Sequence, residues 1–183
     1  MHPQLDAIAN EFLEALDRLH RLRAAVPAND WGRRRDPARW SVAECLAHLN
    51  LTSAAYLRIL DAALAEAKRL GGPAPRRYRR DLTGWLLWKT MGPPVRTRIR
   101  TAAAFVPESG APPEALVIEF ERLQNAQMAA LREGDGLPLS RVRVVSPFNP
   151  RVRYNLYACL SMLPRHQHRH LWQAEQVWGG RHR

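Results

Sequence analysis

The stretch WSVAECLAHLN, residues 40–50, marks the start of the longest helix that the sequence predicts. Ser41 and Glu44 have the S-x-x-E spacing of a capping box, in which the serine hydroxyl accepts a hydrogen bond from the amide of Glu44 and the glutamate carboxylate accepts one from the amide of Ser41. The apolar stripe that follows ends near Leu70, where Gly71-Gly72-Pro73 stops a helix. We therefore expect a helix from Ser41 to about Leu70.

Apolar residues recur at intervals of three and four in three further segments, which predicts three further long helices. Together with the first, these cover about Pro3–Ala25, Ser41–Leu70, Pro113–Arg132 and Val152–Trp178. A proline-rich connection from Pro73 to Pro113 contains one short predicted helix, Leu82–Met91, and strand-like alternation is scarce outside Arg141–Val145. Four long amphipathic helices, with a long connection between the second and the third, predict an all-α fold, a four-helix bundle.

The length of 183 residues suits a single domain over residues 1–183. No run approaches the roughly 18 apolar residues of a membrane span, so we expect no membrane among the partners. Acidic residues interrupt the apolar N-terminal segment, which argues against a secretory signal. The two cysteines, Cys45 and Cys159, lie in apolar helical patterns and are expected as reduced core residues of a cytoplasmic protein.

The formal net charge is +11 at pH 7, and the arginines concentrate in Arg76–Arg100 and Arg141–Arg153. A strong basic excess can indicate a nucleic-acid or anionic partner, although a chain rich in Ala, Arg and Pro also reflects genome composition. One function class that stays open is therefore a non-catalytic basic helical protein that binds nucleic acid or another protein.

Three of the seven histidines fall within PRHQHRHLWQAE, residues 164–175. Because an α-helix turns by about 100° per residue, His166 and His170 lie about 40° apart on the inward side of the last helix, whereas His168 lies about 200° away and should face solvent. Two imidazoles at i and i+4 can bind one metal ion, but they need a third ligand. The alternative is a pair of half-buried histidines bonded to backbone or carboxylate groups. Pro164 is expected to kink the helix just before the pair.

A third imidazole is available on the second helix. His48 lies at the edge of the apolar stripe, with Thr52 and Ile59, and so can face the interior. Inward histidines on two helices of one bundle are a common way to build a metal site. The alternative for His48 is an ordinary histidine at the edge of the core. The remaining histidines, expected in solvent, are His2, His20 and His182.

These segments resemble the DinB-like (YfiT-like) superfamily of bacterial helical metalloproteins. The resemblance rests on a tryptophan and serine that open the second helix, a histidine followed by leucine, and H-x-x-R-H-x-x-Q on the last helix. In this chain these are Trp40-Ser41, His48-Leu49, His166, Arg169, His170 and Gln173. The resemblance implies a bundle in up-down-down-up order, with a long crossover between helices two and three.

The resemblance also implies one divalent metal ion, bound by His48, His166 and His170. The metal of the relatives is usually zinc or nickel and in some of them iron or manganese. Relatives with known activity include S-transferases and isomerases that use low-molecular-weight thiols, and other relatives are regarded as hydrolases. Relatives are often dimeric, which leaves a homodimer open.

Three neutral histidines leave a coordination position open, as in catalytic rather than structural metal sites. We therefore expect an enzyme, and the resemblance to thiol-using relatives favours one that takes a small-molecule substrate and transfers a low-molecular-weight thiol to an electrophile. The alternative is a metal-dependent hydrolase that uses a metal-bound hydroxide. Arg169 and Gln173 are expected to orient ligands or substrate, and Glu44 to accept the second ring N–H of His48. The candidates to hold the carboxylates of the thiol are Arg76, Arg77, Arg79, Arg80, Arg141 and Arg143.

Overall fold

The computed structural model describes residues 1–34, 36–94, 101–108 and 110–179. Within these residues the chain is mostly helical, with five α-helices and one two-stranded antiparallel sheet, which confirms the all-α prediction at that coarse level. The elements are α1 (Pro3–Ala25), α2 (Val42–Leu70), α3 (Leu82–Met91), α4 (Pro113–Glu133), β1 (Arg143–Ser146), β2 (Asn149–Asn155) and α5 (Leu156–Gly179), with single 3-10 turns at Ala28–Asp30 and Ala103–Phe105.

The start of α2 follows the predicted capping box. The amide of Glu44 donates to Ser41 Oγ at 3.2 Å, and the amide of Ser41 donates to Glu44 Oε2 at 2.8 Å. These two bonds satisfy backbone donors that have no partner inside the helix. At the other end, Gly71 has a φ of 57° and terminates the helix after Leu70, as predicted.

The helices enclose two groups of buried apolar side chains. Helix α2 packs on α4 and α5, and α1 packs on α5 and α4. One group surrounds Phe12 and Leu160, and the other surrounds Trp31 and Phe120. On α5 the first group ends at Leu163 and the second begins at Leu171. His166 and His170, two of the predicted metal ligands, therefore lie between the two groups.

The beginning of the last helix was predicted wrongly. The expected start at Val152 falls inside β2, and α5 begins only at Leu156. β2 pairs with β1, with Val144 opposite Tyr154 and both side chains buried. The alternation of Arg151–Tyr154 has the two-residue period of a strand with one buried face. The prediction of a helix from Val152 did not take this period into account. Asn155 then caps α5 by accepting from the amide of Ala158 at 2.8 Å.

Helix α3 has the predicted bounds and is held against α5 and β2. The Asp81 carboxylate caps it by accepting from the amide of Gly84 at 3.2 Å, and it also accepts from the amide of Asn155. Gly84 is the buried residue of α3 and contacts the α5 side chain of Ala158. Within the described part of the chain, no helix has both the length and the apolarity to cross a membrane.

Candidate metal centre

The structure brings together the three histidines that the sequence placed on two helices. His48 comes from α2, and His166 and His170 come from successive turns of α5. One ring nitrogen from each histidine can be chosen so that all three atoms lie within 4.8 Å of one another. The Nε2 atoms of His166 and His170 are 3.1 Å apart. Two of the imidazoles are thus directed at each other, with the third ring beside them.

The orientation of His48 is set by the segment between α3 and α4. Its Nδ1 lies 2.8 Å from the carbonyl oxygen of Phe105, a residue 57 positions away in the chain. A carbonyl only accepts hydrogen bonds, so Nδ1 carries the proton in the neutral ring, and Nε2 keeps its lone pair. Nε2 is therefore the nitrogen of His48 that can serve as a metal ligand.

Burial keeps the three rings neutral. His48 and His170 have 2% and 7% of their surface exposed, and His166 is half-buried. Burial lowers the pKa of His48, although its bond to Phe105 opposes this shift. Burial, aided by the charges of His48 and Arg169, lowers the pKa of His166 to about 3. The pKa of His170 is also well below its ordinary value, again mainly through burial. Neutral imidazole is the form that binds metals.

Aromatic rings surround the histidines. The Trp40 ring lies 4.9 Å from the His48 ring and 5.9 Å from the His170 ring, measured between centroids, and is stacked on the latter. Phe148, in the turn of the hairpin, lies 6.2 Å from His166 and 4.5 Å from Phe105. The cluster of candidate ligands contains three histidines and no carboxylate. An ion held there would therefore keep its full positive charge in an apolar surrounding.

The sequence profile of the DinB superfamily matches residues 4–174. The chain belongs to the DinB superfamily. The match runs from α1 to the last turns of α5 and includes His48, His166 and His170, so the resemblance inferred from these residues is confirmed at the level of the superfamily. No curated protein and no solved structure matches this member of the DinB superfamily.

Two other histidines of this DinB superfamily member, which the sequence predicted to lie in solvent, are partly buried. His168 is half-buried against α1, where its Nδ1 lies 2.9 Å from the guanidinium of Arg18. His2 caps α1 by accepting from the amide of Gln4 at 3.1 Å. His20 is exposed and pairs with Glu121. His182 lies outside the described residues.

The expected contact between Glu44 and His48 is wrong. The Glu44 carboxylate accepts from the Ser41 amide and from the guanidinium of Arg34, with the Arg34 Nε at 2.8 Å from Oε2. The second ring nitrogen of His48 instead faces the carbonyl of Phe105. Sequence reasoning missed Phe105 because a backbone carbonyl has no side-chain signature. A capping glutamate, by contrast, is already occupied by the amide it caps.

Arg169 and Gln173 both lie beside the histidine pair. Arg169 is buried, and its charge contributes to the low pKa values of His166 and His170. Gln173 opposes this effect on His170, yet Nδ1 of His170 has no hydrogen bond of good geometry among the described residues.

Two of the arginines proposed to hold a thiol are engaged elsewhere in this DinB superfamily member. Arg80 stacks on Trp88 and donates to Ser161, and Arg143 pairs with Asp81 at 3.1 Å. Both lie on the side of the protein formed by α3 and the hairpin.

Proposed function

We propose that this chain is a divalent-metal-dependent enzyme whose ion is held by His48, His166 and His170. The observation that carries the proposal is the approach of three ring nitrogens to within 4.8 Å of one another. Membership of the DinB superfamily supports the same reading. The contacts of α1 and α2 with both α4 and α5 support a bundle of these four helices around the site, and the up-down-down-up order that the resemblance implies is part of this proposal.

The residues present fit a divalent transition metal. Imidazole nitrogen is a ligand that zinc and nickel accept readily, and three such ligands leave room for a further one. The 3.1 Å between the Nε2 atoms of His166 and His170 is close to the separation of two imidazole ligands on one tetrahedral ion, and an N–H···N hydrogen bond between neutral rings has the same length. A shared cation would satisfy both lone pairs. The carbonyl of Phe105 fixes the third ring in the tautomer that such an ion needs.

The preferred activity is the transfer of a low-molecular-weight thiol to an electrophile. A divalent ion at this site would supply Lewis-acid chemistry, which lowers the pKa of a bound thiol so that the thiolate is available near neutral pH. Around it, the rings of Trp40 and Phe148 would exclude water from the reacting sulfur. The charge of Arg169 would favour an anionic group of the substrate on the α5 side.

Thiol transfer is preferred to hydrolysis because the ligand cluster that the described residues form contains no carboxylate that could move a proton. A hydrolase of this type generally uses a nearby carboxylate or histidine as a base to move a proton. Among the described residues, no carboxylate belongs to the ligand cluster, and Glu44 is committed to Arg34 and Ser41. A thiol that gives its proton to solvent on binding attacks an electrophile without a further base, whereas the amine or alcohol that leaves in hydrolysis must take up a proton. Metal-dependent hydrolysis remains the alternative that the experiments must separate.

The metal content of the purified protein tests the site. We expect about one divalent ion per chain, measured by elemental analysis of protein made without a histidine tag. His166→Ala should reduce the content to background, because one of the paired Nε2 ligands is lost. His168→Ala is the matched control, since it removes a histidine of the same helix that contacts Arg18 instead. Metal-free wild-type protein after purification in metal-supplemented buffer would contradict the proposal.

A thermal-shift assay with thiols tests the activity. Metal-loaded protein should melt at a higher temperature with cysteine, glutathione or coenzyme A, and the shift should be absent with serine or oxidised glutathione. His48→Ala should abolish the shift. If no thiol raises the melting temperature of the metal-loaded protein, thiol transfer is wrong. Metal-dependent cleavage of an ester or amide substrate would then support the hydrolase alternative.

A further inference from the structure

Helix α3 presents an apolar stripe to the outside of the protein. Leu82 is 81% exposed, Leu86 is 55% exposed and Trp85 is 44% exposed. These residues stand at i, i+3 and i+4, so they share one face of the helix. Lys89, one turn further, holds its ammonium 5.0 Å from the centroid of the Trp85 ring. We name these four residues the α3 face.

The segments that flank α3 in the chain and in the fold carry exposed cations. The exposed arginines that precede α3 or lie on β2 form what we name the basic rim: Arg76, Arg77, Arg79, Arg151 and Arg153. None of them pairs with a carboxylate within the described part of the chain. The sequence contains no Asp or Glu from Gly136 to Ala174, and Asp81 is the only one from Gly71 to Pro107. Negative charge is therefore scarce on both segments that flank α3.

The rim and the α3 face lie on elements that are joined to one another. The Asn155 side chain, at the end of β2, donates to the carbonyl of Arg79 at 2.8 Å. Arg143 on β1 pairs with Asp81, which caps α3. In the sheet, Val145 stands opposite Arg153, and both side chains are exposed on the outer face of the hairpin. The hairpin, the segment that precedes α3 and α3 itself are thus joined to one another by these contacts.

We infer that this surface binds the headgroup region of an anionic lipid bilayer, with Leu82, Trp85 and Leu86 in the outer acyl layer and the basic rim on the lipid phosphates. A short helix with leucine and tryptophan on one face and cations around it is the composition of segments that lie in a membrane interface. Tryptophan and lysine side chains both favour that interface. The expectation that no membrane is among the partners was drawn from the lack of a spanning helix, and a protein that lies on a surface needs no such span.

The charges decide between this partner and two others. A second copy of the chain would bring two basic rims together, at a net charge of +11 on each copy, and like charges oppose such a contact. A nucleic acid would be attracted by the rim, but its bases stack on aromatic rings, and two of the three apolar residues at the centre of the surface are aliphatic. An anionic bilayer suits both the α3 face and the basic rim, because leucine side chains can be buried in hydrocarbon and arginine side chains can bind lipid phosphates.

Co-sedimentation with vesicles tests the inference. The full chain should bind vesicles of phosphatidylcholine with roughly 30 mol% phosphatidylglycerol, and bind pure phosphatidylcholine at least about tenfold more weakly. The double variant Leu82→Ser with Leu86→Ser should lose about tenfold in binding to the anionic vesicles. The matched control is Ile118→Ser, which removes an equally exposed aliphatic side chain from α4 and should bind as the wild type does.

A second variant keeps the test valid if the first changes the fold. Arg151→Glu with Arg153→Glu alters exposed side chains of β2 and should also reduce binding about tenfold, with an effect that fades as salt is added. Equal binding to both kinds of vesicle, or unchanged binding by both double variants, would overturn the inference. So would retention on a DNA oligonucleotide without vesicle binding, which indicates a nucleic-acid partner, or a dimer that the leucine variant dissociates. The metal content of every variant should stay as in the wild type, so this result is separate from the proposed activity.

Discussion

His48 is the residue whose surroundings decide whether a three-histidine site can form. It is almost fully buried, and its ring is fixed by the carbonyl of Phe105 from a distant part of the chain. The i, i+4 pair on α5 owes its geometry to one helix alone, whereas the third ligand depends on tertiary structure. For this reason helix periodicity is enough to place His166 and His170 side by side, whereas the position of His48 beside them depends on how α2 packs on α5.

Glu44 gives a pH-dependent prediction. Its hydrogen bond with Arg34 lowers its pKa most, bonds with Ser41 lower it further, and burial acts in the opposite direction. A carboxyl group whose pKa is lower in the folded state contributes stability above its unfolded pKa, and this contribution is lost as the pH falls through the folded value. Wild-type protein should therefore melt at a higher temperature than Glu44→Gln at neutral pH, and the gap should narrow in acid below about pH 4.3. Melting curves at several pH values check this, and a gap of constant size would contradict it.

The two cysteines give a simple prediction about reactivity. Cys45 and Cys159 are free and buried, and burial raises the pKa of the Cys45 thiol to about 12 and that of Cys159 as well. The reactive form of a thiol is the thiolate, so neither should act as a nucleophile. We expect a thiol-specific chromogenic reagent to label neither cysteine in native protein and both in denaturant. Rapid labelling of native protein would show that the packing around α2 or α5 is wrong.

At the scale of single elements, the packing of α3 depends on a glycine. A Cβ added at Gly84 would overlap the Cβ of Ala158, which lies fully buried on α5. Such overpacking costs about 1–3 kcal/mol, and the gain in helix propensity, up to about 1 kcal/mol, offsets only part of that. Gly84→Ala should lower the free energy of unfolding in urea. The matched control is Gly32→Ala, where no atom lies within 4 Å of the new Cβ, and which should be nearly neutral. Equal effects of the two substitutions would contradict the packing described for α3.

Local signals in the sequence were sufficient for most helices. The capping box fixed the start of α2 at Ser41, prolines and glycines marked the bounds of α1 and α4 to within a residue, and α3 was predicted with its observed bounds. The hairpin was harder, because a run as short as Arg151–Asn155 fits a strand or a helical stripe equally well until its partner strand is known. The partner strand, β1, overlaps the segment Arg141–Val145, whose alternation was visible in the sequence. That alternation indicates a strand but does not say which residues of β2 it pairs with.

The candidate site was predicted in part. The three histidines came from spacing and from resemblance to the DinB superfamily, and the structure brings them together. The partner of His48 could not be predicted, because Phe105 contributes a backbone carbonyl whose position depends on how the connection before α4 folds. The solvent exposure predicted for His168 failed because the far side of α5 is covered by α1, a contact that helix periodicity alone does not reveal.

At the scale of the whole molecule, the site joins α2 to α5, so metal binding should stabilise the fold. A ligand that binds only the folded state adds about 2.7 kcal/mol when its free concentration is one hundred times its dissociation constant. Zinc or nickel should therefore raise the melting temperature of wild-type protein and of His168→Ala, and a chelator should reverse the shift. His48→Ala should show no shift. A metal-induced shift that survives His48→Ala would mean that the ion binds elsewhere.

The central claim is that three imidazoles, from positions 48, 166 and 170, hold one ion. X-ray absorption spectroscopy at the metal edge, on protein loaded with one equivalent of zinc, counts imidazole ligands directly because the outer ring atoms give a distinct scattering pattern. Three imidazoles are expected in the wild type and in His168→Ala, and a zinc spectrum without histidine ligands is expected after His48→Ala. A wild-type spectrum with fewer than three imidazoles, or one that His48→Ala leaves unchanged, would contradict the claim.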